Sequence, residues 1–426
     1  MNRNVIVIAI LVLLVATAAG AGAWLWTTGH LNFILTRGIE PAMGVPNTNG
    51  RAPRNALLLV RKLSRIHDEM AKGNQAAVSQ LDEIDIGISG QFEQFDRVDW
   101  QSSKNVEAMM TYVLSGGKAE IVENFVEAKT ATAEQLALAK GAMHFSMHRP
   151  ETALKLIGGV DPRTMERSLA GPMALALASL HATEEPQRGV QLFDEARLQA
   201  PGTAIEEAAI RREVPLLLKQ GDIRRAMGLA SRYVRSFGRS VFAKKFYQDL
   251  ATGLAASDES EAVAAIEEVS VSIEREPDDI RADLYLKVSR AAVVSGKLNL
   301  CKKAATKIIV MLPDGSPSKS KAQLYSAAAS APTEDARTAF VDLDAVPLGD
   351  LDTDEIAIRE AAKTIAGYIN VAGTTSAKMD QTGSQVRGDP EQRKASVSAP
   401  VEDSDVLRRV QAAIKEADIL LTMENR

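Results

Sequence analysis

Cysteine is almost absent: Cys301 is the single one in 426 residues. One thiol closes no intrachain disulfide framework and builds no cysteine-only metal cluster. Aromatic residues make up only 4% of the chain, which argues against sandwiches and barrels, whose strands lean on Tyr, Trp and Phe. The same scarcity, with a pI near 5.8, argues against a nucleic-acid binder built on aromatic stacking platforms. No G-x-S-x-G elbow, Walker phosphate loop or dinucleotide fingerprint occurs. What is plentiful is apolar material, at 46% of residues, sufficient for two or three domains or one elongated array.

The chain starts with Met1-Asn2-Arg3-Asn4 and then an uncharged run from Val5 to Trp26, dense in Val, Ile and Leu first and in Ala and Gly later. That order is a charged n-region, an h-region and a small-residue cleavage zone. Ala21-Gly22-Ala23 has the A-x-A form, which makes residues 1–23 a signal peptide. The run is also about long enough to span a bilayer, so an uncleaved anchor is the alternative; the fall in apolar density after Val15 favours cleavage. Both readings export the rest, and a bacterial periplasm is the expected location, with membrane contact only through a retained N-terminal segment. Residues 24–54, rich in Gly, Pro and Asn from Gly38 to Pro53, read as a flexible leader.

From Asn55 the apolar residues recur at intervals of three and four. Leu57, Val60, Leu63, Ile66 and Met70 form one helical stripe; Val106, Met109, Met110 and Val113 begin another. Short breakers separate the stripes, among them Gly73-Asn74, Gly158-Gly159, Gly221-Asp222 and Gly296-Lys297. Thr132 with Gln135 and Asp352 with Glu355 have capping-box spacing. A small residue, an apolar one four later and another three after that recur six times in succession. The sets are Ala153/Ile157/Val160, Gly189/Phe193/Ala196, Ala226/Ala230/Tyr233, Ala262/Ile266/Val269, Cys301/Ala305/Ile308 and Ala336/Phe340/Leu343, with first members 36, 37, 36, 39 and 35 residues apart. Ala77/Leu81/Ile84 suggests an earlier unit, with a degenerate one around Val122 and Phe125. Pro162, Pro201, Pro277, Pro313 and Pro347 follow the second helices.

This pattern resembles the tetratricopeptide repeat, in which small residues allow paired helices to approach and proline ends the unit. The spacing exceeds that family's usual length, and the Trp and Tyr of its first helix are missing. The expected fold is all-α, a tetratricopeptide-like helical-hairpin solenoid over residues 55–371. An Ala-rich helical protein yields such triplets by composition alone, and five consecutive similar spacings argue against that. Cys301 stands at a small-residue position, so a buried, inert thiol is expected. Residues 372–400 carry almost no apolar side chains and read as a disordered linker. In residues 401–426, Leu407, Val410, Ile414, Ala417 and Leu421 mark a tethered amphipathic helix, which caps the array or docks on a partner.

Signs of chemistry are few. Of five histidines, only His144 and His148 are four apart as on one helical face, with Phe145 where a zinc protease has glutamate; a surface pair is expected, with no metal, cofactor or catalytic residue assigned. Ser115-Gly116-Gly117-Lys118 reads as a turn, and the pairs Glu206-Glu207 and Glu267-Glu268 as solvent-facing. The charge pattern says more. Between Arg211 and Lys245, ten basic residues face only Glu213 and Asp222, a local balance of +8 in a chain whose net charge is −5. Arg211, Arg212, Arg224, Arg225, Arg232, Arg235 and Arg239 form the candidate partner-binding patch. The alternative is a solvated face, or one neutralised by the chain's own acidic stretch from Asp342 to Glu355.

Asp161-Pro162-Arg163, Ser168-Leu169-Ala170-Gly171, the run APGTAIEEAAIRRE from Ala200 to Glu213 and GDIRRAMGLASRYVRSFGRS from Gly221 to Ser240 give the middle of the chain a likeness. It resembles the periplasmic motility protein C (MotC) family of alphaproteobacterial flagellar motors. The resemblance implies a non-enzymatic motor accessory in the periplasm. Its partner would be the periplasmic portion of the stator protein MotB, which anchors to peptidoglycan, and it would be needed for torque generation and swimming. It implies no nucleic acid and no small-molecule substrate. Two other classes stay open: a general cell-envelope scaffold for secretion, pilus or cell-wall assembly, and a wall-cleaving hydrolase. The hydrolase would need two carboxylates flanking a cleft, and no preferred pair is evident.

Overall fold

The computed structural model describes residues 53–382, with side-chain surroundings through residue 370. The signal or anchor segment, nearly all of the leader and the C-terminal amphipathic helix lie outside the described residues. The described chain forms eighteen α-helices with three short 3-10 turns, and among the described residues there is no strand. No helix there is long and apolar enough to cross a membrane. The chain divides into two compact units between Ser326 and Ala327.

The larger unit begins with α1 (Leu57–Ala71), α2 (Leu81–Glu93), α3 (Arg97–Trp100), α4 (Ser103–Leu114) and α5 (Ile121–Glu127). Val60, Leu63, Ile66 and Met70 of α1 are buried, as their spacing predicts. One of the chain's aromatic clusters lies here. Phe92 lies 5.7 Å from Trp100 between ring centroids, and Trp100 lies 5.3 Å from Phe125. Buried Asp99 and Asn105 tie the segment that precedes α1 to this core. The Arg54 amide donates to Asp99 Oδ1 at 2.6 Å, and Asn105 Nδ2 donates to the Arg54 carbonyl at 2.7 Å.

Then follow α6 (Ala133–Ser146), α7 (Pro150–Ile157), α8 (Arg167–His181), α9 (Pro186–Gln199), α10 (Ala204–Lys219), α11 (Ile223–Phe237), α12 (Ala243–Ala256), α13 (Glu259–Ser272), α14 (Asp278–Val294), α15 (Leu298–Met311) and α16 (Pro317–Ser330), the last running across the division between units. Helices α6 and α7, α8 and α9, α10 and α11, and α14 and α15 pack as neighbouring pairs, while α12 packs on α14, α11 on α13 and α13 on α15. The six small-residue anchors fall on α7, α9, α11, α13, α15 and, in the second unit, α17 (Ala336–Ala345). Every one is buried. At Gly189 the reason is direct: an added Cβ would lie 2.9 Å from the Ala182 Cα and 3.2 Å from its nitrogen. Backbone on the facing helix leaves no room to give way.

Polar groups stitch successive pairs. Glu259 at the start of α13 accepts from the Asn299 amide at 2.7 Å, so it caps α15 from a neighbouring helix. Arg188 Nη2 donates to the Gly158 carbonyl at the end of α7, at 2.7 Å. Pro172 lies inside α8. Its missing N–H leaves the Ser168 carbonyl without a helical donor, and the Thr111 hydroxyl of α4 reaches that carbonyl at 3.4 Å. The Thr132–Gln135 box forms reciprocally at 3.0 and 3.1 Å. Cys301 is fully buried, with its Sγ 3.3 Å from the Tyr325 carbonyl, and burial pushes the thiol far above its usual range.

Three expectations change. Ala77, Leu81 and Ile84 do not share a helix: Asn74 Oδ1 accepts from the Ala76 amide and starts a 3-10 turn over Gln75–Gln80, so Ala77 precedes α2. Helix α1 packs on α10, far along the chain, instead of only on its sequence neighbours. Asp68 Oδ1 accepts from the Ala204 amide at 2.8 Å, and the Val241 amide donates to the Met70 carbonyl at 3.2 Å. Gly73, at φ +97°, sits where a Cβ would run into the Arg239 carbonyl; both its backbone angle and its space demand glycine. Periodicity reports that a face is buried, not which distant face covers it. In the second unit α17 packs on α18 (Thr353–Thr382), which Asp352 and Glu355 cap reciprocally at 2.8 and 2.9 Å. Helix α18 ends at Thr382, inside the segment 372–400 that the sequence reads as a linker.

Two substitutions test this packing. Gly189→Ala is expected to lower unfolding free energy by about 1–3 kcal/mol in urea titration, despite alanine's better helix propensity. Asp68→Ala is expected to cost about 1 kcal/mol and to speed hydrogen exchange in the first turn of α10; unchanged exchange there would refute the long-range cap.

Candidate protein-interaction surface

The basic segment of the sequence folds into α10, α11 and the turn into α12. Thr203 caps α10, its Oγ1 accepting from the Ile205 amide at 3.3 Å. Glu206 and Glu207 follow in the first turn, where the helix N-terminus favours negative charge. Both are buried, as is Glu213, which corrects the expectation that the Glu206-Glu207 pair faces solvent. The signal was available: Glu206, Ala209, Glu213 and Leu217 keep the three-and-four spacing of the buried stripe, and a charge-based reading passed over it.

Each buried carboxylate is matched. Glu206 pairs with Arg232 of α11 and accepts from the Gly202 amide at 2.6 Å. Glu207 Oε1 accepts from the Tyr233 hydroxyl at 2.6 Å and from Arg211 Nε at 3.2 Å. Glu213 lies between Arg197 Nε of α9, at 3.0 Å, and Arg225 Nη2 of α11, at 2.9 Å. Asp194 of α9 binds both of those guanidiniums as well. Removal from water pushes the Glu213 carboxyl up to about 7; Arg197 and Arg225 pull it back, and Asp194 adds to the rise. Burial is also the main reason that the Tyr233 hydroxyl is raised far above its usual range, with Glu207 adding to it.

The seven candidate arginines therefore separate into groups. Arg211 is bound to Glu207 and stacks 4.6 Å above the Phe242 ring centre. Arg225 and Arg232 hold the buried carboxylates just described. Arg239 makes two bonds to Asp279, at 3.1 and 3.3 Å. Arg212 is exposed and donates to the Ala208 carbonyl within its own helix at 3.1 Å. Arg224 and Arg235 are exposed and make no hydrogen bond or ion pair among the described residues. Much of the local excess of positive charge is thus offset by Glu206, Glu207, Asp194 and Asp279.

Arg235 also belongs to a second pattern. Leu198, Arg235, Val271 and Val310 stand at equal distances from the anchors Gly189, Ala226, Ala262 and Cys301, and all four are exposed, Val310 to 82%. They place aliphatic side chains and a cation on the outer side of successive second helices. Between α13 and α15, Glu267 reaches Lys303 and Lys307 at 2.7 and 2.8 Å, while Glu268 is exposed.

His144 and His148 do not share a helical face. Helix α6 ends at Ser146, and His148 turns away at φ +58° with Nδ1 3.0 Å from the Ser146 carbonyl. Among the described residues, no three His, Cys, Asp or Glu side chains are grouped to hold a metal. Ser115–Lys118 is a turn, with Gly116 at φ +95°. A shallow depression beside α5 and α6 has Glu123, Glu127 and Lys140 around an apolar floor of Val122, Val126 and Met143.

Fold and surface together define an all-α protein of packed helical hairpins, with internal ion pairs between helices and cations and aliphatics outside. A family model described as chemotaxis protein MotC matches residues 3–426, and the chain belongs to that family. It is similar to the chemotaxis protein MotC of Rhizobium meliloti (strain 1021), at 28% identity over 340 residues, covering 77% of this chain and 75% of the relative. Family membership makes this a motility- and chemotaxis-related protein.

The buried cluster has a pH signature. Between about 4.5, the usual value for glutamate, and about 7, the folded chain keeps a proton on Glu213 that the unfolded chain has released. Stability is therefore lost as pH rises through that window, by on the order of 3 kcal/mol. Glu213→Gln removes this component. Its stability relative to the wild type is expected to improve steadily from pH 5 to pH 8 in chemical denaturation; parallel pH curves would refute the assignment.

Proposed function

We propose that this protein is a non-enzymatic periplasmic scaffold of the flagellar motor. In this reading it binds the periplasmic portion of the stator protein MotB and is needed for torque generation and swimming. The observation that carries the proposal is the family match over residues 3–426. Three further features support it. The N-terminal sequence has the layout of an export signal. The hairpins, read as a tetratricopeptide-like stack, offer a broad outer surface of the kind that repeat proteins use to bind partners. The Asp194–Arg197–Glu213–Arg225 network fixes three helices relative to one another, which suits a part that contributes geometry while ion flow elsewhere supplies the power.

An in-frame deletion is expected to leave cells flagellated but paralysed, as scored by swimming and by electron microscopy of the filaments. Normal swimming would discard the motor reading. Affinity capture from a periplasmic extract is expected to return the stator protein; recovery of cell-wall synthases or secretion components instead would move the protein to a general envelope scaffold.

A further inference from the structure

Helix α11 has a glycine at the centre of its solvent face. Gly228 is exposed, and a Cβ built on it would meet nothing within 4 Å. A glycine inside a helix weakens it relative to alanine, and no packing among the described residues requires one here. The contrast with other helical glycines is direct: a Cβ at Gly141, Gly171, Gly189 or Gly253 would run into or press on Ile157, Ala200, Ala182 or Leu218. Gly87, Gly90 and Gly367 are open as well. The first two lie on α2, which has no basic residue, and Lys363, one turn from Gly367, is already bound to Asp344. Gly228 differs in what surrounds it. Arg224 and Arg225 lie one turn before it, Arg232 one turn after and Arg235 two turns after.

Those four arginines divide cleanly. Arg225 and Arg232 are held by Glu213, Asp194 and Glu206 and line one side of this face. Arg224 and Arg235 are exposed without a partner among the described residues. Helical rise puts these two about 16 Å apart along the axis, with the bare backbone of Gly228 between them. Two cations that far apart do not converge on one small anion. They match an elongated ligand lying along the helix, and an extended peptide at about 3.3 Å per residue covers the distance in roughly five residues. The absent side chain lets its backbone sit close, and carboxylates near its ends meet the two free guanidiniums.

We infer that the Arg224–Gly228–Arg235 face of α11 is a docking site for an extended acidic segment of a partner protein. This deepens the candidate patch and rests on the scaffold reading; it assigns binding to Arg224, Gly228 and Arg235, and internal support to Arg225 and Arg232.

The test uses the full chain at low salt and, as probe, a fluorescein-labelled alternating glutamate–glycine peptide with its lysine–glycine counterpart as control, read by fluorescence polarisation. The wild type is expected to bind the acidic peptide and not the basic one. Arg224→Glu with Arg235→Glu is expected to weaken binding at least about tenfold. Gly228→Gln is expected to weaken it at least about fivefold while its melting temperature stays the same or rises, since glutamine is the better helix former. Reversal of Arg61 and Arg65, exposed cations on α1, is expected to change nothing. Undiminished binding by Gly228→Gln, a lowered melting temperature in that variant, or an equal loss from the α1 reversal would each overturn the inference. So would preferential binding to phosphatidylglycerol vesicles, or a wild-type dimer that Gly228→Gln makes monomeric. Normal swimming of a deletion strain with peptide binding intact would remove the motor reading and leave this surface standing. Full swimming by the Arg224→Glu, Arg235→Glu strain, where the deletion is paralysed, would remove the surface and leave the motor reading.

Discussion

Close approach of neighbouring helices at small residues is the constraint from which most of the structure follows. Ala153, Gly189, Ala226, Ala262, Cys301 and Ala336 are all buried on successive second helices, and at Gly189 the nearest atoms across the gap are backbone. Where backbones come that near, a small residue occupies the contact itself, and larger side chains such as Phe193 and Tyr233 pack one or two turns further along the same helix. Close approach at the anchors accounts for the many buried alanines, while rings gather around Phe92, Trp100 and Phe125 and around Tyr233 and Phe246. It also explains a buried thiol with no chemical role: Cys301 is a small residue at a place that needs one.

Apolar seams of this kind define contact but not register, because one methyl group resembles another. The charged groups of α9, α10 and α11 supply the missing specificity. Glu206, Glu207 and Glu213 lie under the surface, and each is met by an arginine at a defined atom. Such pairs add little net stability compared with a well-packed apolar core, yet breaking one by removing a single partner costs about 3–5 kcal/mol. A slipped arrangement of these helices would strand several charges at once. The Asp68 cap on α10 acts in the same sense over a longer span, joining α1 to a helix that the chain reaches only much later.

Local features were legible in the sequence wherever the cause was local. The two capping boxes formed as their spacing predicts, the α1 stripe is buried from Val60 to Met70, and the small-residue anchors marked alternate helices because the approach distance is set at the anchor itself. What escaped was set by contacts between distant segments. Nothing near Asp68 announces Ala204 as its partner, and although Pro172 frees the Ser168 carbonyl by a local rule, nothing near it announces Thr111. The arginine-rich segment is the instructive intermediate case. Its charge runs along α10 and α11, but a count of charges between Arg211 and Lys245 omitted Asp194, Glu206, Glu207 and Asp279, which lie outside that interval and satisfy much of it. His148 failed for a shorter-range reason: four-residue spacing implies a shared face only while the helix continues, and α6 stops at Ser146.

Sorting the arginines by their partners bears on function more than their number does. An arginine that holds a buried carboxylate is committed to the fold, so evolution of a binding surface there has to use neighbours that are not. On α11 the committed residues, Arg225 and Arg232, face one side, while Arg224 and Arg235 follow the line of Gly228. The internal pairs thereby fix the helix whose outer face carries the free charges, and a rigid helix presents its cations with little further loss of freedom on binding. In a scaffold, the same network that resists slippage of the hairpins also sets the distance between the groups a partner would meet.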